Sequence, residues 1–126
     1  MTPHERLRRL ADELRKPMPA TIDFDLTAWR EELHDEHTNV CITVCCAVGL
    51  ATMVPEFSAE GFVAIRNADG ELVPTFEGLR AFDAASRFFG LDAKDTHWLL
   101  QRSSYPGDPK PEDVAARIDA ILRRSA

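Results

Sequence analysis

Seventeen consecutive positions, Asn39 to Pro55, carry no charge and hold all three cysteines of the chain. A segment like this must be hidden from water, and few folds can hide it. A bilayer is not the place, because a span needs about 20 mostly apolar residues. This run contains Thr43, Gly49 and Thr52 and stops at Pro55. A chain of 126 residues buries roughly two thirds of its unfolded surface, so it can enclose the run in a core without a metal or disulfide. Val40, Ile42, Thr43 and Val44 favour a strand. The run lacks period-two alternation, however, and is long for one strand. We therefore read a buried helix at about 40–53, ended by Pro55. Gly49 inside it implies that another backbone packs close there.

The flanking sequence adds more helices. Thr2, Pro3 and Glu5 form a capping-box signature ahead of Leu7, Leu10, Ala11 and Leu14, which predicts a helix over 4–15. Leu26, Trp29 and Leu33 share a helical face against Arg30, Glu31, Glu32, Asp35 and Glu36, which predicts a second over 26–35. Residues 55–62 read as one short turn closed by Gly61. A β-hairpin at about 62–76 folds around Asn67–Gly70, where Asp69-Gly70 is a favoured turn pair. Leu79, Phe82, Ala85, Ser86 and Phe89 mark a helix capped at Gly90, and Asp92 caps the next. Val114, Ile118, Ile121 and Leu122 line a last helix, with acids early and arginines late. The expectation is a mainly α chain: a compact bundle of five or six helices, one short hairpin, and the central helix 40–53, in a single domain over 1–126.

Charge and cysteine usage exclude several function classes. The net charge of −6 argues against nucleic acid, whose phosphates require a basic face. Asp23, Asp25, Glu31, Glu32, Asp35 and Glu36 against Arg30 alone give residues 21–38 a net −5, read as a solvated face. Three cysteines, two of them adjacent, do not make a secreted disulfide framework. The charged first 16 residues lack the apolar core of a signal peptide. A cytoplasmic chain with reduced thiols is expected.

Five segments together carry a resemblance: FDLTAW at 24–29, CITVCCAVGLA at 41–51, PEF with GF at 55–62, AFDAASRFFGL at 81–91 and PEDVAARI at 111–118. The chain resembles a group of small uncharacterised bacterial and phage proteins. Their pattern is Trp, then Cys-x-Thr-x-x-Cys-x-x-Gly, then Phe-Phe-Gly-Leu and a closing Val-Ala-x-Arg-Ile. The matching residues are Trp29, Cys41, Thr43, Cys46, Gly49, Phe88 to Leu91, Val114, Ala115, Arg117 and Ile118; Ile42 stands where the pattern has Gly. The resemblance implies a helical cytosolic domain and no particular activity.

Three constellations could carry function. His34, His37, Cys41 and Cys45 are spaced by 3, 4 and 4 and would share one stripe of a continuous helix. A metal site or reactive thiol would draw on His37, Cys41 and Cys45, with His37 or His97 as base. Paired Cys-x-x-Cys spacing is absent, and free cysteine more often fills a core. Residues 79–101 have the outline of a DNA-reading helix-turn-helix, but Asp92 and Asp95 sit where basic side chains would meet phosphate. The third is aromatic. Neighbouring Phe88 and Phe89 cannot both enter one core face, so Phe88, Trp98 and Tyr105 are candidates for a partner-binding surface. No phosphate loop, serine elbow or paired carboxylate with an obvious role is present, and no cofactor is implied. The sequence points to a non-catalytic protein-interaction or self-association module, possible as a homodimer, acting on protein and not on nucleic acid or membrane.

Overall fold

The computed structural model describes residues 1–124; Ser125 and Ala126, the end of the expected domain, lie outside the described residues. The chain opens with α1 (Pro3–Arg15). Its capping box forms as the sequence requires: Glu5 N–H donates to Thr2 Oγ1 at 3.2 Å and Thr2 N–H to Glu5 Oε1 at 3.1 Å. Leu7, Leu10, Ala11 and Leu14 are its buried stripe.

The next segment departs from the expectation. β1 (Ile22–Phe24), β2 (Arg30–Asp35) and β3 (Val40–Cys45) form a sheet in the order β1-β3-β2. β1 runs parallel to β3, and β2 runs antiparallel to it, with Leu33 opposite Ile42 and His34 opposite Cys41. The helix read at 26–35 is therefore a turn at 26–29 followed by strand β2. Its helix-forming Glu31, Glu32 and Leu33 yield to cross-strand pairing, a tertiary override of local propensity. The central helix read at 40–53 is also absent. The uncharged run divides at Cys46 into strand β3 and the short helix α2 (Ala47–Ala51). Cys46 is the N-cap of α2, and its Sγ accepts the Gly49 N–H at 3.4 Å. The close approach expected at Gly49 is real. A Cβ there would lie 1.6 Å from the Trp29 carbonyl oxygen, so no side chain fits.

After α3 (Pro55–Ala59), a second sheet forms from β4 (Val63–Arg66), β5 (Leu72–Phe76) and β6 (Leu79–Arg80) in sequential order. The expected hairpin is β4–β5, and Gly70 N–H closes its turn onto Asn67 O at 3.1 Å. The chain then runs through α4 (Ala81–Phe89), α5 (Ala93–Leu100), a 3-10 turn (Arg102–Ser104) and α6 (Pro111–Arg124). The fold is mixed α/β, with two three-stranded sheets among the described residues. It is not a mainly α bundle with one hairpin.

One hydrophobic cluster draws on elements from α1 to α6. At its centre Phe57, Phe62, Phe76, Phe88 and Phe89 pack mostly edge to face, with centroids 4.5–6.4 Å apart. Phe88 and Phe89 are both buried, contrary to the expectation that one must leave the core. The reason is that α4 packs against α1, α5 and β5 at once. A wide arc of the helix thus faces inward, and two residues 100° apart both fall within it.

Candidate functional site

The site is assembled where α5 meets α6. Asp92 caps α5 by accepting Asp95 N–H at 2.7 Å, which fixes the phase of the helix. Thr96, Leu99 and Leu100 then face the core, and Lys94, Asp95, His97 and Trp98 fall on the flank toward α6. On α6, burial of Val114, Ala115, Ile118 and Ile121 leaves Ala120, Arg123 and Arg124 on the facing flank. The two flanks enclose an open groove of about 660 Å³, within the usual range for binding sites.

Trp98 forms an apolar wall of this groove and is held from behind. The Arg117 guanidinium lies 4.7 Å from its ring centroid and 3.6 Å from that of Tyr105. Arg117 Nη1 also donates to Trp98 O at 2.6 Å and to Ser104 Oγ at 3.0 Å. Such a fork locks helix, turn and helix together in a way that lysine could not reproduce. The Trp98 indole N–H donates to nothing among the described residues. At the rim, Arg124 bonds Asp95 at 2.8 Å. Lys94 and Arg123 make no ion pair among the described residues. A half-buried indole therefore sits among cations on a chain whose net charge is −6.

The other aromatic candidates lie elsewhere. Phe88 is 0% exposed, inside the phenylalanine cluster. Tyr105 is 7% exposed, and its hydroxyl donates to Leu99 O at 2.6 Å. Of Phe88, Trp98 and Tyr105, Trp98 is the one that reaches the surface. Sequence reasoning misses the cationic rim, whose one signal is spacing. Lys94 and Trp98 are four apart, as are Ala120 and Arg124, so each pair shares a helix face.

The cysteines divide sharply. Cys45 and Cys46 are buried. Burial pushes the Cys45 thiol up to about 12 and the Cys46 thiol to about 11. Cys41 is exposed on β3, and its Sγ lies 3.3 Å from Nδ1 of His34 across the hairpin. His37 is in the connecting turn, its backbone N–H bound to the Asp35 carboxylate at 2.9 Å. Cys41 and Cys45 stand four positions apart on one strand, about 13 Å at the strand rise, and cannot share an ion. Among the described residues no group of three or more His, Cys, Asp or Glu side chains could hold a metal.

Two further surfaces stand out. A groove of about 830 Å³ lies along β4–β6, where Ile65 is 58% exposed. Its charges balance, with Arg66 and Arg80 against Asp69 and Glu77. The β2–β3 hairpin exposes Leu33 and Val40, at 51% and 41%, beside the acids Glu31, Asp35 and Glu36. The helix-turn-helix outline corresponds to α4, Gly90 and α5, and the N-terminal turn of α5 presents Asp92, Ala93 and Lys94 to solvent. No described helix is long and apolar enough to cross a membrane. Comparison with protein-family models, curated proteins and solved structures finds no match.

Proposed function

We propose that the protein is a non-catalytic protein-interaction module and that its docking surface is the α5–α6 groove. The observation that carries this reading is Trp98, clamped by Arg117 behind and flanked by Lys94 and Arg123. Tryptophan and arginine dominate binding energy at interfaces, most of all when the aromatic is already fixed before binding. A cationic groove on an acidic chain selects and steers an acidic segment with an apolar anchor. We place the protein in the cytoplasm, where an exposed Cys41 beside His34 would stay reduced.

The test is a fluorescence titration with an amphipathic peptide carrying Glu and Leu, against a control with Lys in place of Glu. The acidic peptide is expected to perturb Trp98 emission and to bind less tightly as salt rises. Trp98→Phe removes the signal while Trp29 still reports the fold. Equal binding of both peptides, or of neither, overturns the reading.

A second reading, thiol-based chemistry, draws on the 3.3 Å contact between Cys41 and His34. His34 is within reach to accept the thiol proton. A kinetic solvent-isotope and pH-rate study of Cys41 alkylation, compared with His34→Gln, tests it: an unchanged rate removes the base.

A further inference from the structure

The groove has a counterpart on the same chain. On the β2–β3 hairpin, strand alternation puts Leu33, Glu31 and Asp35 on one face, and register places Val40 opposite Asp35. Leu33 and Val40 are exposed, while Glu31, Asp35 and Glu36 make no ion pair among the described residues. An apolar patch bracketed by carboxylates matches an apolar groove bracketed by Lys94 and Arg123. β2 is also the outer strand of its sheet, so its outer edge has no ladder partner.

We propose that the occupant of the α5–α6 groove is the β2–β3 hairpin of a second copy of this chain. The proposal rests on the groove being the docking surface. Charge decides how two copies meet. Hairpin against hairpin would set Glu31 and Asp35 opposite their own equivalents, and groove against groove would oppose Lys94 and Arg123; like charges face to face are destabilising. Hairpin into groove pairs opposite signs and buries Leu33 and Val40 against Trp98. The contact is heterologous: each copy offers one donor surface and one acceptor surface.

The experiment is sedimentation velocity on the full chain, with two surface variants whose fold is checked by circular dichroism. One carries Lys94→Glu with Arg123→Glu, and the other carries Glu31→Lys with Leu33→Ser. The wild type is expected to gain mass with concentration at about 50 mM salt and to lose that gain near 0.5 M. Each variant alone stays monomeric, its self-affinity lowered at least about tenfold. Mixing the two variants restores a 1:1 complex, because one retains an intact hairpin and the other an intact groove. A wild type that is monomeric throughout, or one whose association neither variant weakens, overturns the proposal, as does a mixture that fails to pair. If the wild type is monomeric but the Glu/Leu peptide still binds at Trp98, the second copy is ruled out and an acidic partner of other origin takes its place. If neither associates, the docking surface falls too.

Discussion

The three cysteines occupy environments so different that one reagent can separate them. Cys45 and Cys46 are enclosed, and their thiols titrate far above neutrality because burial disfavours the thiolate. Cys41 is open to solvent. With a chromogenic disulfide at pH 8, one thiol is expected to react in the native protein and the remaining two only in denaturant; Cys41→Ser should abolish the native reaction. The sole tyrosine offers an equally direct reading. Burial raises the Tyr105 hydroxyl from its ordinary 10 to about 12. A raised folded value means that its contribution to stability is intact below pH 10 and is lost as pH climbs through about 12. Ultraviolet titration of the phenol should therefore show a midpoint near 12 in the native protein and near 10 in denaturant. A native midpoint near 10 would mean that Tyr105 is not enclosed.

At the scale of elements, what could be read from the sequence depended on where the deciding interaction lay. α1, the α4 cap at Gly90, the Asp92 cap and the β4–β5 turn rest on residues a few positions apart, and all could be read. In the segment 26–53 the deciding partners are distant. β2 and β3 exist because each completes the other, and REELHD alone favours a helix. The break at Cys46 is made by a sulfur cap, which lies outside the usual set of oxygen caps. The same distinction explains the site. Phe88, Trp98 and Tyr105 are equal candidates in the sequence, and only the packing around α4 and the 3-10 turn separates the partly exposed Trp98 from the two buried rings. One element carries a correctable flaw. The β5–β6 turn has both Glu77 and Gly78 at positive φ, +50° and +80°. Gly78 tolerates this and Glu77 does not. Glu77→Asn is expected to stabilise the fold by about 0.5–1 kcal/mol, read as a higher urea midpoint at unchanged slope.

On the scale of the whole molecule, ion pairs join regions far apart in sequence. Arg15 on α1 binds Glu112 at 3.1 Å and Asp119 at 2.6 Å on α6, and Arg6 binds Glu60 at 2.9 Å. The hydrogen bond from Arg15 holds the Asp119 carboxyl below its ordinary value, and that from Arg6 does the same for Glu60. A depressed folded value gives stability that is present above the ordinary carboxylate range and is lost as pH falls through the lowered values. The urea midpoint is thus expected to hold from neutrality to about pH 4.5 and to decline below it. Asp119→Asn should make that decline shallower, and high salt should narrow the difference between the two proteins.

The pairing of α1 with α6 also bears on how the chain is made. A ribosome delivers Leu7, Leu10 and Leu14 about a hundred residues before Val114, Ile118 and Ile121, on the helix that covers α1. Until then the opening helix has an uncovered apolar face, and β1 and β2 wait for β3, the strand that lies between them. Nascent chains stalled before residue 111 should therefore recruit chaperones and be digested readily by protease, with protection arriving abruptly once α6 has emerged.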